Sequence, residues 1–198
     1  MTKKVLVPAA DGTEDIELSC ITDILCRADI QVTVASVMES QNLVLSRGLK
    51  LTTDSLIKNE SADAYDGVFL PGGLPGAEHL GKSAELKKIL HDMRAQGKWY
   101  GAICAAPVVS LVPMGMLEGV ETVTCYPALK GKVPAPVKWS ADPVVRSGKC
   151  LTSMGPGTAI AFGLAIVAAL KSKDIAQNLA KDLLVDGTPV IDQTLSKF

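Results

Sequence analysis

Short apolar runs alternate along the chain with longer stretches in which apolar positions recur every three or four residues. Val5-Leu6-Val7 is such a run, with β-branched residues and no polar break, and it predicts an internal strand. After the loop Pro8–Gly12 the period changes. Ile16, Cys20, Ile21, Ile24, Leu25 and Ala28 fall on one helical face, and Thr13, Glu14 and Asp15 suit a helix start. Gln31–Val37 predicts a second strand. Leu43–Thr53 alternates around Ser46-Arg47-Gly48 and predicts a hairpin on the rim. Gly67–Leu70 predicts another buried strand, which runs into the glycine-rich loop Pro71–Gly76. Ser83 caps a predicted helix whose apolar face is Leu86, Ile89, Leu90 and Met93, and Gly97 ends it.

Lys98–Pro107 predicts a short buried strand ending at Cys104, a tight turn through Ala105 and Ala106, and a helix from near Pro107. Glu121–Cys125 predicts a further strand, followed by Tyr126-Pro127. Pro134–Pro143 reads as irregular, and Val144–Thr152 as a hairpin around Ser147-Gly148. Gly155–Thr158 opens an apolar helix to Leu170. Ser172 caps a last predicted helix with Ile175, Leu179 and Leu183 inward, and Asp186–Phe198 reads as a tail. Strands alternating with helices imply an α/β fold: an open, mostly parallel sheet covered on both faces. Ligands in such sheets sit at the carboxyl ends of the strands. The Pro8–Gly12 loop, Gly72-Gly73, Cys104 and Tyr126 would therefore converge at one sheet edge.

Composition narrows the class. A length of 198 residues sets one domain as the default. Hydrophobic residues at 47% and charged residues at 21% exclude a disordered chain. A net charge of −1, with no long basic run, gives no nucleic-acid footprint. The longest apolar stretch, Ala159–Leu170, falls short of the ~20 residues of a membrane span. Five cysteines without CxxC spacing, beside only two histidines, argue against a metal centre. The odd cysteine count and the absence of a visible presequence fit a reducing compartment, and the cytoplasm is expected. The alternative is a peroxisome-like compartment, because Ser196-Lys197-Phe198 differs from Ser-Lys-Leu only in its last residue.

The candidate chemistry centres on Cys104. A thiol at a strand-to-helix junction lies over free backbone N–H groups that favour thiolate. Read alone, it is equally a buried small hydrophobe. Gly72 and Gly73 can bring backbone N–H groups close to a ligand and, with the N–H of Ala105, stabilise an oxyanion. Glu14 and Asp15 complement the helix dipole. Glu17, three residues before Cys20, can point toward the sheet edge, where burial would raise its pKa for proton transfer. His79 and His91 are not placed to assist.

Ala102–Pro107, Leu70–Gly73, Gly12–Glu17, Ser46-Arg47 and Ser153–Thr158 occur in an order and spacing that resemble the ThiJ/PfpI superfamily, in the branch of the Parkinson-disease protein deglycase. The resemblance covers about residues 4–186 of a single domain, 1–198. It implies a flavodoxin-like, doubly wound sheet and a homodimer, with Arg27 and Arg47 as candidates to reach across it. It also implies a nucleophilic cysteine, here Cys104, hydrogen-bonded to a protonated glutamate, here Glu17. Tyr126, Pro127 and Arg47 would line the substrate site. The implied activity is glutathione-independent glyoxalase or deglycase chemistry on a small 2-oxoaldehyde or its adducts. No cofactor is called for, because the substrate has an acidic C–H beside a carbonyl. Redox sensing and chaperoning are the alternative. The chain departs from the pattern at Tyr126, where many relatives have histidine, at Met154 in place of an arginine, and at Ala106 in place of a glycine.

Overall fold

The computed structural model describes residues 2–198. The first half of the chain holds β1 (Lys4–Ala9), α1 (Asp15–Arg27), β2 (Gln31–Ser36), β3 (Asn42–Val44), β4 (Lys50–Thr52), β5 (Ser55–Leu56), β6 (Gly67–Leu70), α2 (Gly76–Lys82) and α3 (Ala84–Ala95). The second holds β7 (Trp99–Ile103), β8 (Thr122–Val123), β9 (Lys138–Trp139), β10 (Val144–Ser147), β11 (Cys150–Ser153), α4 (Ala159–Leu170), α5 (Lys173–Asp182) and α6 (Pro189–Leu195). Seven strands form one sheet in the order β10-β11-β7-β6-β1-β2-β5. All neighbours in it are parallel except β10 and β11, whose hairpin is antiparallel. The α/β class and the mostly parallel, doubly covered sheet therefore stand as expected.

The alternation of β1 divides the core. Val5 and Val7 face one layer with Ile21, Ile24 and Leu25 of α1 and Phe162 and Ile166 of α4. Leu6 faces the other, with Val68, Leu70, Tyr100 and the Leu86, Leu90 and Met93 stripe of α3. Gly163 lets α4 cross close to α1: a Cβ there would lie 2.9 Å from Ile24 Cδ1. Phe162 meets Phe69 edge-on at 6.0 Å across the sheet–helix boundary. Helix α4 has almost no polar face, because α1, α5 and α6 enclose it. No helix is long and apolar enough to cross a membrane among the described residues.

Several elements differ from the sequence reading. Ile16 is exposed, because Glu17 takes the inward position of the first turn, in helical register with Ile21 and Ile24. Cys20 is half-buried and packs against the core, whereas Cys26 is exposed. Helix α2 fills what reads as loop. Its two glycines hide it, yet a Cβ at Gly81 would lie 2.6 Å from the Val109 carbonyl oxygen. The turn after Cys104 is π-helical over Pro107–Leu111, with the Ser110 hydroxyl donating to the Ala77 carbonyl at 2.7 Å. Glu121–Cys125 forms only the short β8, which pairs with β9 outside the main sheet. Ile175 points outward, and Ala176, Leu179 and Ala180 make the buried face of α5.

The segment after residue 186 is not a loose tail. Ile191, Thr194 and Leu195 of α6 are buried, and α6 packs on α4. Lys197 pairs with Asp142 at 3.0 Å and also donates to the Val144 carbonyl. The Phe198 ring lies 5.2 Å from the Arg146 guanidinium. Ser196-Lys197-Phe198 is thus held against the β10 edge, whereas a receptor-read address needs a free end.

Candidate active site

Strand β7 ends at Ile103, and Cys104 takes φ +64°, a left-handed conformation costly for a residue with a side chain. Two hydrogen bonds hold it. Its N–H donates to the Ser153 carbonyl at 2.9 Å, and its own carbonyl accepts from Tyr126 N–H at 2.8 Å. Ala105 then starts the π-helical turn, its carbonyl accepting from Val109 N–H at 2.9 Å. The result lifts the sulfur off the end of the sheet, facing the loop that follows β6.

That loop is shaped by its glycines. A Cβ at Gly72 would lie 2.7 Å from Cys104 Cβ and 2.9 Å from Glu17 Oε2. Gly73 has φ +87°, and a Cβ there would strike Glu14 N and Gly12 O at 2.5 Å. The two glycines differ in role. Gly72 N–H donates to Glu17 Oε2 at 2.7 Å, so it is not free to hold an oxyanion as the sequence suggests. The N–H groups of Gly73 and Ala105 face the Cys104 sulfur.

Helix α1 delivers the carboxylate. Glu14 caps it, accepting from Glu17 N–H at 2.8 Å, and Glu14 N–H donates to the Gly72 carbonyl at 3.0 Å. Glu17 is fully buried, and its Oε1 has no nitrogen or oxygen partner among the described residues. The Cys104 thiol is the side chain that interacts with it. Burial pushes the Glu17 carboxyl up to about 7, and the charge of Glu14 adds to this, while the Gly72 N–H and the thiol oppose it.

Burial likewise pushes the Cys104 thiol up to about 12, and an ionised Glu17 beside it reinforces the rise. The N–H groups of Gly73 and Ala105 pull the other way and do not prevail. This corrects the expectation of a thiolate favoured by the helix start alone. A proton on Glu17 removes the opposing charge and leaves a donor facing the sulfur. Thiolate formation is thereby coupled to protonation of Glu17.

Cys104 opens into a cleft of about 400 Å³. Glu14, Ser46 and Arg47 line one side, with Gly73 and Ala105 beside the sulfur. Arg47 is held by its hairpin: Asp15 accepts from Arg47 N–H at 2.8 Å and from the Ser46 hydroxyl at 3.0 Å. Tyr126, Leu74, Ala128, Leu129 and Pro156 form the apolar side. Pro127 is exposed and does not line the cleft; it opens the 3-10 turn Pro127–Lys132, which sends Ala128 and Leu129 in its place. Leu74, Ala128, Leu129 and Pro156 escape sequence reading because only the folded loops bring them together. Their one sequence signal is position beside an expected site residue.

Other candidates lie apart. His91 interacts through Nε2 with the Met114 carbonyl at 2.8 Å, and His79 does not line the cleft. Arg27 pairs with Asp23 at 2.7 Å on its own helix. Cys125 is buried, with its sulfur donating to the Tyr126 carbonyl at 3.6 Å.

A strained cysteine at a strand-to-helix elbow, a buried glutamate beneath it and a flavodoxin-like sheet define a class of α/β proteins with a cysteine–carboxylate site. Comparison with known proteins makes the assignment particular. The DJ-1/PfpI family model matches residues 3–169, and the chain belongs to that family. It is 35% identical to Protein DJ-1 homolog B of Arabidopsis thaliana, over 100% of this chain and 45% of that protein. Homolog A of the same plant is 34% identical, over 100% of this chain and 50% of its own length. The chain thus spans about half the length of these two relatives. The protein named "Glutathione-independent glyoxalase DJR-1.2", from Caenorhabditis elegans, is 33% identical over 90% of this chain and 94% of its own. The solved structure of oxidized Toxoplasma gondii DJ-1 superposes with a TM-score of 0.89 at 40% identity, covering 93% of this chain and all of that one.

Proposed function

We propose that this protein is a cofactor-free, cysteine-dependent glyoxalase or deglycase that converts methylglyoxal, or its adducts, to lactate. One observation carries the reading: the Cys104 sulfur opens into the cleft beside the N–H groups of Gly73 and Ala105, and the buried Glu17 carboxyl, raised to about 7, interacts with it from the interior side. The name of the DJR-1.2 relative supports it.

In this mechanism an ionised Glu17 takes the Cys104 thiol proton as the sulfur adds to the aldehyde carbon, then gives that proton to the former aldehyde oxygen, which forms a hemithioacetal and leaves Glu17 free to act as base. Gly73 and Ala105 N–H groups hold the oxygen that becomes negative. Glu17 then takes the proton from the former aldehyde carbon and returns it to the neighbouring carbonyl carbon through an enediol. One carbon is oxidised and the other reduced, leaving a thioester. Water hydrolyses it to lactate, or to glycolate when glyoxal is the substrate, and restores the thiol. Steady-state formation of lactate by pure protein, and its loss in Cys104→Ser, is the expected result. Turnover that survives Cys104→Ser would end the proposal.

A second reading is favoured by the same carboxyl. A protonated Glu17 facing the sulfur could donate to an oxidised Cys104 and hold it as sulfinate, as a redox sensor or redox-regulated chaperone requires. Peptide mapping after mild peroxide would find sulfinate on Cys104 in the wild type and further oxidation in Glu17→Ala. Equal oxidation in both proteins would dismiss it.

We also propose a homodimer. Ile16, Val44 and Leu49 are exposed around Asp15, at the junction of α1 and the β3–β4 hairpin, and offer an apolar patch for a second copy. Light scattering coupled to gel filtration tests this, with a monomeric mass the contrary result.

A further inference from the structure

We propose that the slot between the Cys104 sulfur and the Tyr126 ring is a subsite for the side group of the substrate. It fits this protein to 2-oxoaldehydes bearing an aryl group, in preference to glyoxal. The inference rests on the thiol chemistry proposed above and adds the substrate class.

Gly155 floors the slot. The point where its Cβ would stand lies 3.5 Å from Tyr126 Cδ2 and 4.0 Å from Cys104 Sγ. The ring and the sulfur therefore flank one empty, methyl-sized place that glycine leaves open. Leu129 and Pro156 line the same cleft, and Leu74 and Tyr126 stand at it with 54% and 47% of their surface exposed. These are among the few large apolar side chains the fold leaves open to solvent.

The directions around the sulfur are already allotted. Gly73 and Ala105 N–H groups occupy one side and Glu17 the buried side. In a hemithioacetal the substituent on the second carbonyl begins three bonds from the sulfur. With the oxygen on the N–H groups and the migrating proton toward Glu17, the substituent is directed to the open side, over Gly155 and against Tyr126. Glyoxal puts a hydrogen there and methylglyoxal a methyl. The methyl occupies only the place over Gly155, at the edge of the phenol ring, and neither group fills the rest of a cleft of about 400 Å³, room for roughly a dozen waters. A phenyl group stacks on or against Tyr126 in the geometries aromatic pairs prefer, with Leu129 and Pro156 at its sides.

Gly155→Ala is the sharp test. Gly155 has φ 166°, extended backbone that any residue adopts, and the added methyl meets only ordinary contacts. The variant keeps the fold and fills the slot. Two selectivities are measured on the full chain, in the wild type, Gly155→Ala and Tyr126→Ala. One is kcat/KM for phenylglyoxal against glyoxal. The other needs no turnover: the rate at which Cys104 is alkylated by phenacyl bromide against bromoacetone, each relative to free cysteine, with the sulfur displacing bromide. The wild type is expected to favour the aryl member of both pairs by about ten- to a hundredfold, as for apolar groups in a fitted pocket. Both variants should bring the ratios close to one, with the change in turnover falling on KM rather than kcat. No aryl preference in the wild type, or a preference untouched by both variants, would overturn the subsite. An intact alkylation preference without turnover of any 2-oxoaldehyde would keep the subsite and overturn the glyoxalase reading.

Discussion

Glu17 is the residue at which stability and the proposed chemistry oppose each other. Its folded pKa is raised, so between about 4.5 and 7 the native state binds more protons than the unfolded chain. Stability is therefore lost as pH rises through that window and stays reduced above it. The shift corresponds to about 3 kcal/mol as an upper bound. Glu17→Gln keeps an acceptor for Gly72 N–H and a donor for the sulfur but carries no charge. Relative to the wild type it should gain stability from pH 5 to pH 8 in urea titrations, while turnover falls by about 10²–10⁴-fold as general acid–base catalysis is lost. A pH-independent stability difference would mean that Glu17 is not held protonated by the fold. Tyr126→Phe, which keeps the ring, should alter glyoxalase turnover only modestly. A collapse as deep as that of Cys104→Ser would make the phenol a proton-transfer group.

At the scale of elements, the β3–β4 hairpin is positioned by the loop between β1 and α1 and by Asp15, the first residue of α1, rather than by the main sheet. Asp15 accepts hydrogen bonds from the N–H groups of Arg47 and Leu49 and from the Ser46 hydroxyl, and Asp11 accepts from Val44 N–H at 2.8 Å. Partial burial raises the Asp15 pKa, but these bonds outweigh it and hold the carboxyl below its ordinary value. A depressed carboxylate contributes stability above its unfolded pKa and loses it as pH falls through the folded one. Asp15→Ala should therefore speed hydrogen exchange at the Arg47 and Leu49 amides near neutral pH. That difference from the wild type should shrink in acid. Unchanged exchange at neutral pH would show that the hairpin is held by its own strands.

At the scale of the molecule, the C-terminal segment is tied back to the edge of the sheet. β10 is an edge strand, and Lys197 and Phe198 lie against it, through the Val144 carbonyl and the Arg146 guanidinium. Lys197 combines an ion pair with a bond to a backbone carbonyl at a partly buried position. Lys197→Ala should cost about 1 kcal/mol in denaturant titrations. Because the last three residues are engaged, a tagged copy with the native C-terminus and one lacking Ser196–Phe198 should distribute alike in cells. A punctate pattern that depends on those residues would reverse this.

Much of the architecture was legible in the chain itself. The apolar runs of β1, β6 and β7 and the helical stripe of α3 bury the residues their periodicity selects, because burial of a repeating face is a local property. Ser83 and Ser172 cap the helices they precede, and Glu14 caps α1, for the same reason. Cys104, Glu17, Gly73, Ala105, Tyr126 and Arg47 were all readable as candidates, and the fold brings five of them to one cleft, with Glu17 buried against the Cys104 sulfur. What the chain does not show by itself is how its groups are shared. That Gly72 spends its N–H on Glu17 while Gly73 faces the sulfur depends on three loops meeting. Pro127 yields to Ala128 and Leu129 because a 3-10 turn rotates it outward. The thiol's titration follows from burial and one neighbouring charge, neither of which is a property of residues 98–107. The last helix folds onto α4 through contacts with residues far back in the chain, and no local pattern encodes a distant partner. Sequence periodicity determined the layers; the meeting of loops at the ends of β1, β6, β7 and β11 decided the chemistry, because proton placement depends on distances between residues that are remote along the chain.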